Sequence, residues 1–167
     1  MNNRFSQEVS DIIVYSKEEA CRLNNKIIFP EHLFLGILRN GKGKAIEILS
    51  RLNANLMMIK RQIEILLKTD DNGILLPDTE IPFSDEANKI LRICVLEARR
   101  MKSNIIETEH VLLAILKDDN KASSILKDND ISYTKVLEQV TLQPNVNSGM
   151  GFSEEEEDEE EEASAFR

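Results

Sequence analysis

The sequence predicts an all-α fold arranged as a pseudo-twofold double repeat of four-helix units, eight helices in total. Three observations point to it. The chain matches itself when Phe5-Ser6 is laid on Phe83-Ser84, an offset of 78 residues. Apolar residues recur at steps of three and four, the period of an amphipathic helix. No alternation of the kind a strand needs runs for more than a few residues.

The internal match is long and ordered. Glu8 falls on Glu86, Glu19-Ala20 on Glu97-Ala98, Arg22 on Arg100, Ile27-Ile28 on Ile105-Ile106 and Glu31-His32 on Glu109-His110. Leu35, Ile37 and Leu38 then fall on Leu113, Ile115 and Leu116. After a one-residue gap, Ala45, Ile48, Leu49 and Gln62 meet Ala122, Ile125, Leu126 and Gln139. A repeat of this kind is best read before any single element is assigned.

The first helix of each unit carries one apolar stripe, Phe5, Val9, Ile12, Ile13, Ser16, Ala20 and Leu23 in one copy and Phe83, Ala87, Ile90, Leu91, Cys94, Ala98 and Met101 in the other. Ser6 and Ser84 stand where a side-chain oxygen caps the free amides of the first turn. The second helices, Pro30 to Arg39 and Thr108 to Lys117, are apolar almost all round after one turn, which places each at the centre of its bundle. Asn40-Gly41-Lys42-Gly43 breaks the chain. Helices over Lys44 to Leu52 and Leu56 to Lys68 complete the first unit, and helices over Ala122 to Asp128 and Ser132 to Leu142 complete the second. The expected division is therefore a repeat over 1–68, a connector over 69–82 marked by Asp71-Asn72-Gly73, Pro77 and Pro82, a repeat over 83–142, and a tail over 143–167.

Charge separates the tail from the body. The whole chain carries 21 Lys+Arg against 30 Asp+Glu, a net of −9, yet nine consecutive acids fill 154–162. Without that run and Arg167, residues 1–153 are close to neutral, with no basic footprint for nucleic acid. The tail has too little to bury to offset its ordering entropy, so it is expected to be a mobile, solvated linker. Met1 to Ser10 is polar and no apolar stretch approaches the roughly 20 residues of a membrane helix, so a cytoplasmic protein without a membrane partner is expected. Cys21 and Cys94 have neither CxxC spacing nor a neighbouring His and read as small buried apolar residues.

No catalytic or metal-binding constellation stands out. Gly41-Lys42-Gly43-Lys44-Ala45 resembles part of a phosphate loop, but it follows a helix and lacks the Ser/Thr that would hold magnesium. His32 and His110 have no metal-ligand spacing and read as hydrogen-bonded structural residues. Glu31 and Glu109 are more informative, because they stand in the first turn of the buried helices. A carboxylate there complements the positive helix end. Beside free backbone amides it also offers an acceptor for a guanidinium and donors for an anion, which suits a ligand carrying both charges.

Glu19-Ala20-Cys21-Arg22, Pro30-Glu31-His32-Leu33-Phe34-Leu35-Gly36-Ile37-Leu38, Glu97-Ala98-Arg99-Arg100 and Thr108-Glu109-His110-Val111-Leu112-Leu113-Ala114-Ile115-Leu116, in that order, resemble the Clp N-terminal repeat domain. The resemblance runs from Arg4 to about Leu142, and within the family it looks like the ClpC branch of the Hsp100 unfoldases. It implies a non-catalytic module that binds adaptor proteins and protein substrates. The parent chain would be a ring-forming AAA+ ATPase that uses ATP and Mg and feeds proteins to the ClpP protease. No cofactor is expected in this segment itself. Family members that read phosphoarginine would place the guanidinium on Glu31 and Glu109 and the phosphate on Thr108 and nearby amides. Pro30 departs from the Thr of that motif and removes a hydroxyl and an N–H. Alternatives are a free-standing accessory subunit, an acidic-tail chaperone for basic proteins, or an enzyme using the two glutamates and the histidines as acid and base.

Overall fold

The computed structural model describes residues 4–69, 75–76 and 79–142. In chain order the elements are β1 (Arg4–Phe5), α1 (Gln7–Arg22), α2 (Pro30–Asn40), α3 (Lys44–Arg51), α4 (Leu56–Leu67), α5 (Asp85–Arg100), β2 (Ile105–Ile106), α6 (Thr108–Lys117), α7 (Lys121–Asp128) and α8 (Tyr133–Leu142). The fold is thus all-α with two four-helix repeats, as the periodicity indicates. The expected connector packs back onto the first repeat, where Leu75 and Ile81 meet Ala20 and Ile28. The acidic run and the rest of 143–167 lie outside the described residues.

Each repeat is assembled around its second helix. Leu33, Phe34, Leu35 and Ile37 of α2 and Val111, Leu112, Leu113 and Ile115 of α6 are buried, which is why those helices need apolar residues on nearly every side. α1 crosses α2 closely at Gly36, where an added Cβ would lie 2.6 Å from the backbone oxygen of Ile12. Ser6 Oγ accepts from the Val9 amide at 3.2 Å and Ser84 Oγ from the Ala87 amide at 3.0 Å, so both expected caps form. Gly41 ends α2 in the left-handed region at φ 66°, the ordinary terminating use of glycine in the phosphate-loop-like stretch.

The repeated Glu-Ala-x-Arg turn has a packing role in the first repeat. Glu19 is buried and accepts from Arg22 Nη2 at 2.7 Å and from Arg39 Nη1 at 3.0 Å, joining α1 to α2. Burial opposes its ionisation, but the two guanidinium groups outweigh that and hold its carboxyl below the usual range. Arg22 also pairs with Glu64, which brings in α4. In the second repeat the equivalent Glu97 accepts from the Tyr133 hydroxyl at 2.7 Å. Cys94 is buried, with its thiol pushed up to about 12 by desolvation, while Cys21 is half-buried against the connector.

Two short strand pairings are not visible in the sequence pattern. β1 and β2 pair in parallel, Arg4 with Ile105 and Phe5 with Ile106, and Ile28 pairs in parallel with Phe83. Under the internal repeat Phe5 matches Phe83 and Ile28 matches Ile106. Each repeat therefore lends the residues before its first helix to the residues before the other repeat's second helix. By its contacts the chain forms one compact unit up to Val136. The described start of the following unit, Leu137–Leu142, holds a local bond from the Thr141 hydroxyl to the Leu137 carbonyl at 3.1 Å.

Candidate functional site

Two helix starts meet at each candidate pocket, and the two starts come from different repeats. The beginning of α2 packs near the beginning of α7, and the beginning of α6 near that of α3. Helix N-termini carry unsatisfied amides and a partial positive charge, so each junction favours an anion. Glu31 and Glu109 occupy equivalent positions in these junctions, second in α2 and second in α6.

The histidines that follow them are buried and bond back to the helix starts. His32 Nδ1 accepts the Phe29 amide at 2.8 Å and His110 Nδ1 accepts the Glu107 amide at 2.9 Å, so each imidazole reaches back to cap its own helix. With Nδ1 accepting, the proton sits on Nε2, which in His32 donates to Asn25 Oδ1 at 2.7 Å. Burial pushes both imidazoles down to about 4, chiefly by desolvation, and they are neutral at physiological pH. The expectation of structural histidines is met by these bonds.

Glu31 is only 4% exposed, and its carboxylate bonds to its own backbone amide. Desolvation raises its pKa, and Glu86 adds to the rise while Lys121 opposes it. It lines a cavity of about 250 Å³ together with Asn25, Phe29, Leu66, Glu86 and Lys121. A carboxylate has room for about four hydrogen bonds.

Glu109 is the counterpart. Its pKa is also raised, first by burial and then by Glu107 and Glu47, against the attraction of Lys44. Glu109 is not among the residues that line the Glu31 cavity. The two glutamates stand at different helix-start junctions, Glu31 with Lys121 nearby and Glu109 with Lys44 nearby.

The two lysines are functional candidates that the internal alignment stopped one residue short of. Ala45 matches Ala122, so Lys44 matches Lys121, and both are the first residue of their helices. Extending the match by one position would have found them. Glu31 consequently shares its cavity with Lys121 of the other repeat, and Glu109 is attracted by Lys44 of the other repeat, an acceptor and a cation in each case.

The pockets differ at their floors. Thr108 is fully buried and its hydroxyl accepts the Ala45 amide of α3 at 3.0 Å, across the repeats. Gly43, with φ 89°, sits so close that an added Cβ would stand 2.6 Å from Thr108 Oγ1. At the matching place near Glu31, Pro30 supplies no hydroxyl, and α7 caps itself: Asn120 Oδ1 accepts the Ser123 amide at 2.8 Å and Ser123 Oγ accepts the Asn120 amide at 3.0 Å. Thr108 thus acts on a neighbouring helix, a placement its position in the sequence did not disclose.

Comparison with known proteins identifies the family and the fold. The family described as the Clp repeat (R) N-terminal domain matches residues 4–129. An ATP-dependent Clp protease ATP-binding subunit ClpA homolog from Guillardia theta is 30% identical over 141 residues, 84% of this chain and 17% of that protein. The negative regulator of genetic competence ClpC/MecB from Bacillus subtilis is 29% identical over the same shares. The chain therefore spans less than a fifth of the length of these curated relatives. Among solved structures, the Hsp104 N-terminal domain from Candida albicans superposes with a TM-score of 0.68 at 21% identity, covering 82% of this chain and 89% of that one. The N-terminal domain of the ClpV1 ATPase from E. coli gives 0.67 at 15%, covering 83% and 85%. With the motifs in order in both halves and the family matched over most of the chain, this protein belongs to the Clp repeat N-terminal domain family.

Proposed function

We propose that the domain recognises protein substrates and adaptor proteins for an ATP-driven Clp unfoldase, and that its two pockets bind phosphoarginine on marked substrates. The observation that carries this reading is the pairing in each pocket of a desolvated glutamate with a lysine at converging helix N-termini. Glu31 and Glu109 would accept the guanidinium, as charge-assisted bonds suit a carboxylate with free lone pairs. Lys121, Lys44 and the helix-start amides would take the phosphate, with Thr108 on the phosphate side through its hold on α3. A guanidinium would donate to carboxylates whose charged form burial disfavours.

In the same reading the domain catalyses nothing and needs no cofactor of its own. The parent chain supplies ATP, Mg and the link to ClpP in the cytoplasm, and a tethered receptor raises the effective concentration of substrate near the pore. A free-standing accessory subunit and an acidic-tail chaperone are the rival readings, the second expected to lose its binding when 153–167 is deleted.

Calorimetric titration of the 167-residue chain with a phosphoarginine peptide and its unphosphorylated twin tests the proposal. We expect phosphate-dependent binding that Glu31→Ala and Glu109→Ala each weaken roughly tenfold or more at their own site, the size of a lost charged partner. Equal affinity for the two peptides, or no effect of either substitution, would remove phosphoarginine and leave adaptor docking.

A further inference from the structure

Helix α4 leaves an uncommon face to solvent. It turns Ile59, Ile63 and Leu67 inward, as an amphipathic helix should. Yet Met57 is 77% exposed, Ile65 66%, Met58 51% and Leu66 42%. Steps of four residues put Met57, Arg61 and Ile65 in one row, with Met58 and Gln62 beside it. Arg61 and Lys68 are exposed on this side, and Glu64, which lines the same hollows as Arg61, is paired with Arg22. The face is apolar and basic together.

Open hollows flank it. One of about 470 Å³ runs between α4 and α7, lined by Ile65, Leu66, Lys121, Ile125 and Asp128. Another of about 370 Å³ adjoins Arg61, Ile65 and Lys68, and a third of about 360 Å³ adjoins Met57, Met58 and Arg61. Asn129 Nδ2 donates to Gln62 Oε1 at 2.9 Å and ties α4 to the end of α7, which fixes the spacing of the two helices.

We propose that α4 and the α4–α7 groove dock an acidic amphipathic helix of a partner protein. Its aliphatic side chains, at i, i+3 or i+4 and i+7, would fill the groove over Ile65, Leu66 and Ile125, and its carboxylates would meet Arg61, Lys68 and Lys121. Charge complementarity selects an acidic partner: Lys121 and Asp128 balance within the groove itself, but beside it Arg61 and Lys68 face only Glu64, which is paired with Arg22. A helix fits better than a strand, because α4's backbone is bonded internally and offers a partner only side chains. Two methionines at the rim adapt to different side-chain shapes. The apolar lining and Asp128 are poor surroundings for a nucleic-acid backbone.

The test uses a labelled 14-residue peptide with Leu at i, i+4, i+7 and i+11 and Glu at most other positions, a scrambled peptide of equal composition, and a Lys-for-Glu counterpart. Anisotropy and amide chemical-shift mapping on the 167-residue chain should show binding of the amphipathic acidic peptide, with shifts confined to α4 and α7. Ile65→Ser and Arg61→Glu, both at exposed positions and each checked for an unchanged melting temperature, should weaken it roughly tenfold. Arg61→Glu with Lys68→Glu should transfer the preference to the Lys peptide. Absence of binding at millimolar peptide, equal affinity for the scrambled sequence, or shifts elsewhere would overturn the proposal. So would a dimer in sedimentation that Ile65→Ser dissociates, which gives the face to a second copy, or binding only to phosphatidylglycerol vesicles, which gives it to a membrane. Ile65 and Arg61 lie outside the Glu31 cavity, so phosphoarginine affinity should not follow Ile65→Ser or Arg61→Glu; Lys68 lines that cavity, so the double variant is read with the helical peptides only.

Discussion

His32 and His110 show how one residue type serves the helix start and sets a pH dependence. Each is neutral in the fold, with its pKa pushed down to about 4 from an ordinary 6.5. Between those values the unfolded chain binds more protons than the folded one, so stability is complete above about pH 6.5 and falls as the pH drops toward 4. Gln can keep the acceptor that reaches back to the helix start but does not titrate. His32→Gln should therefore flatten the stability curve from pH 6.5 to 4, removing a slope of up to roughly 1.4 kcal/mol per pH unit; urea midpoints for both proteins across that range would measure it, and parallel curves would disprove it. Glu31 has the opposite sign. Its raised pKa means that stability is lost as the pH climbs through and above the ordinary carboxyl range of 4.5. Glu31→Gln should stabilise the fold at pH 7 by about 1 kcal/mol while weakening ligand binding, and the gain should vanish near pH 4. A destabilised Gln variant at pH 7 would show that the carboxylate holds the fold together. At this scale Ser6, Ser84 and the structural histidines were legible, since caps follow from position alone. Lys44 and Lys121 were not, because a lysine on a helix surface carries no signal until the other repeat is folded against it.

Helix identity was legible for a different reason: a stripe every three or four residues is the same information whichever neighbours complete the core. Among the described residues all eight helices lie where the pattern places them, with ends shifted by one residue at α2, α3, α4, α7 and α8. The short strands left no trace, because two residues cannot display a period. Exposure was equally hidden, and α4 reads as an inward stripe while also presenting Met57 and Ile65 outward. Gly36 illustrates what the element scale demands. Its counterpart Ala114 tolerates a methyl at the α5–α6 crossing, whereas at the α1–α2 crossing a methyl would meet the Ile12 carbonyl at 2.6 Å. Helical glycine is otherwise the poorer choice by about 1 kcal/mol, so propensity alone favours Gly36→Ala. Overpacking against backbone should win, with a net loss of roughly 1–3 kcal/mol in chemical denaturation. A gain in stability would mean that α1 and α2 can separate freely.

At the scale of the molecule, the repeats exchange parts. Phe5 pairs with Ile106 and Phe83 with Ile28, Thr108 holds the start of α3, and each candidate pocket takes its glutamate from one repeat and its lysine from the other. Neither repeat alone could complete a pocket or satisfy those backbone groups. The chain up to Val136 should then unfold in one transition, because opening either repeat strands polar and apolar surface of its neighbour. The two tyrosines make this measurable, since Tyr15 lies in the first repeat and Tyr133 in the second, and there is no tryptophan. In Tyr15→Phe and Tyr133→Phe variants the remaining tyrosine should report a urea midpoint that coincides with the far-ultraviolet signal of the same protein. Gly43→Ala sharpens the test, for it strains a residue at φ 89° and drives a methyl against Thr108 of the other repeat. It should lower the midpoint seen by Tyr133 as much as that seen by Tyr15, by about 1–3 kcal/mol in stability. A shift confined to Tyr15 would show two repeats that fold independently and merely touch, and the composite pockets would then have to form by docking after folding.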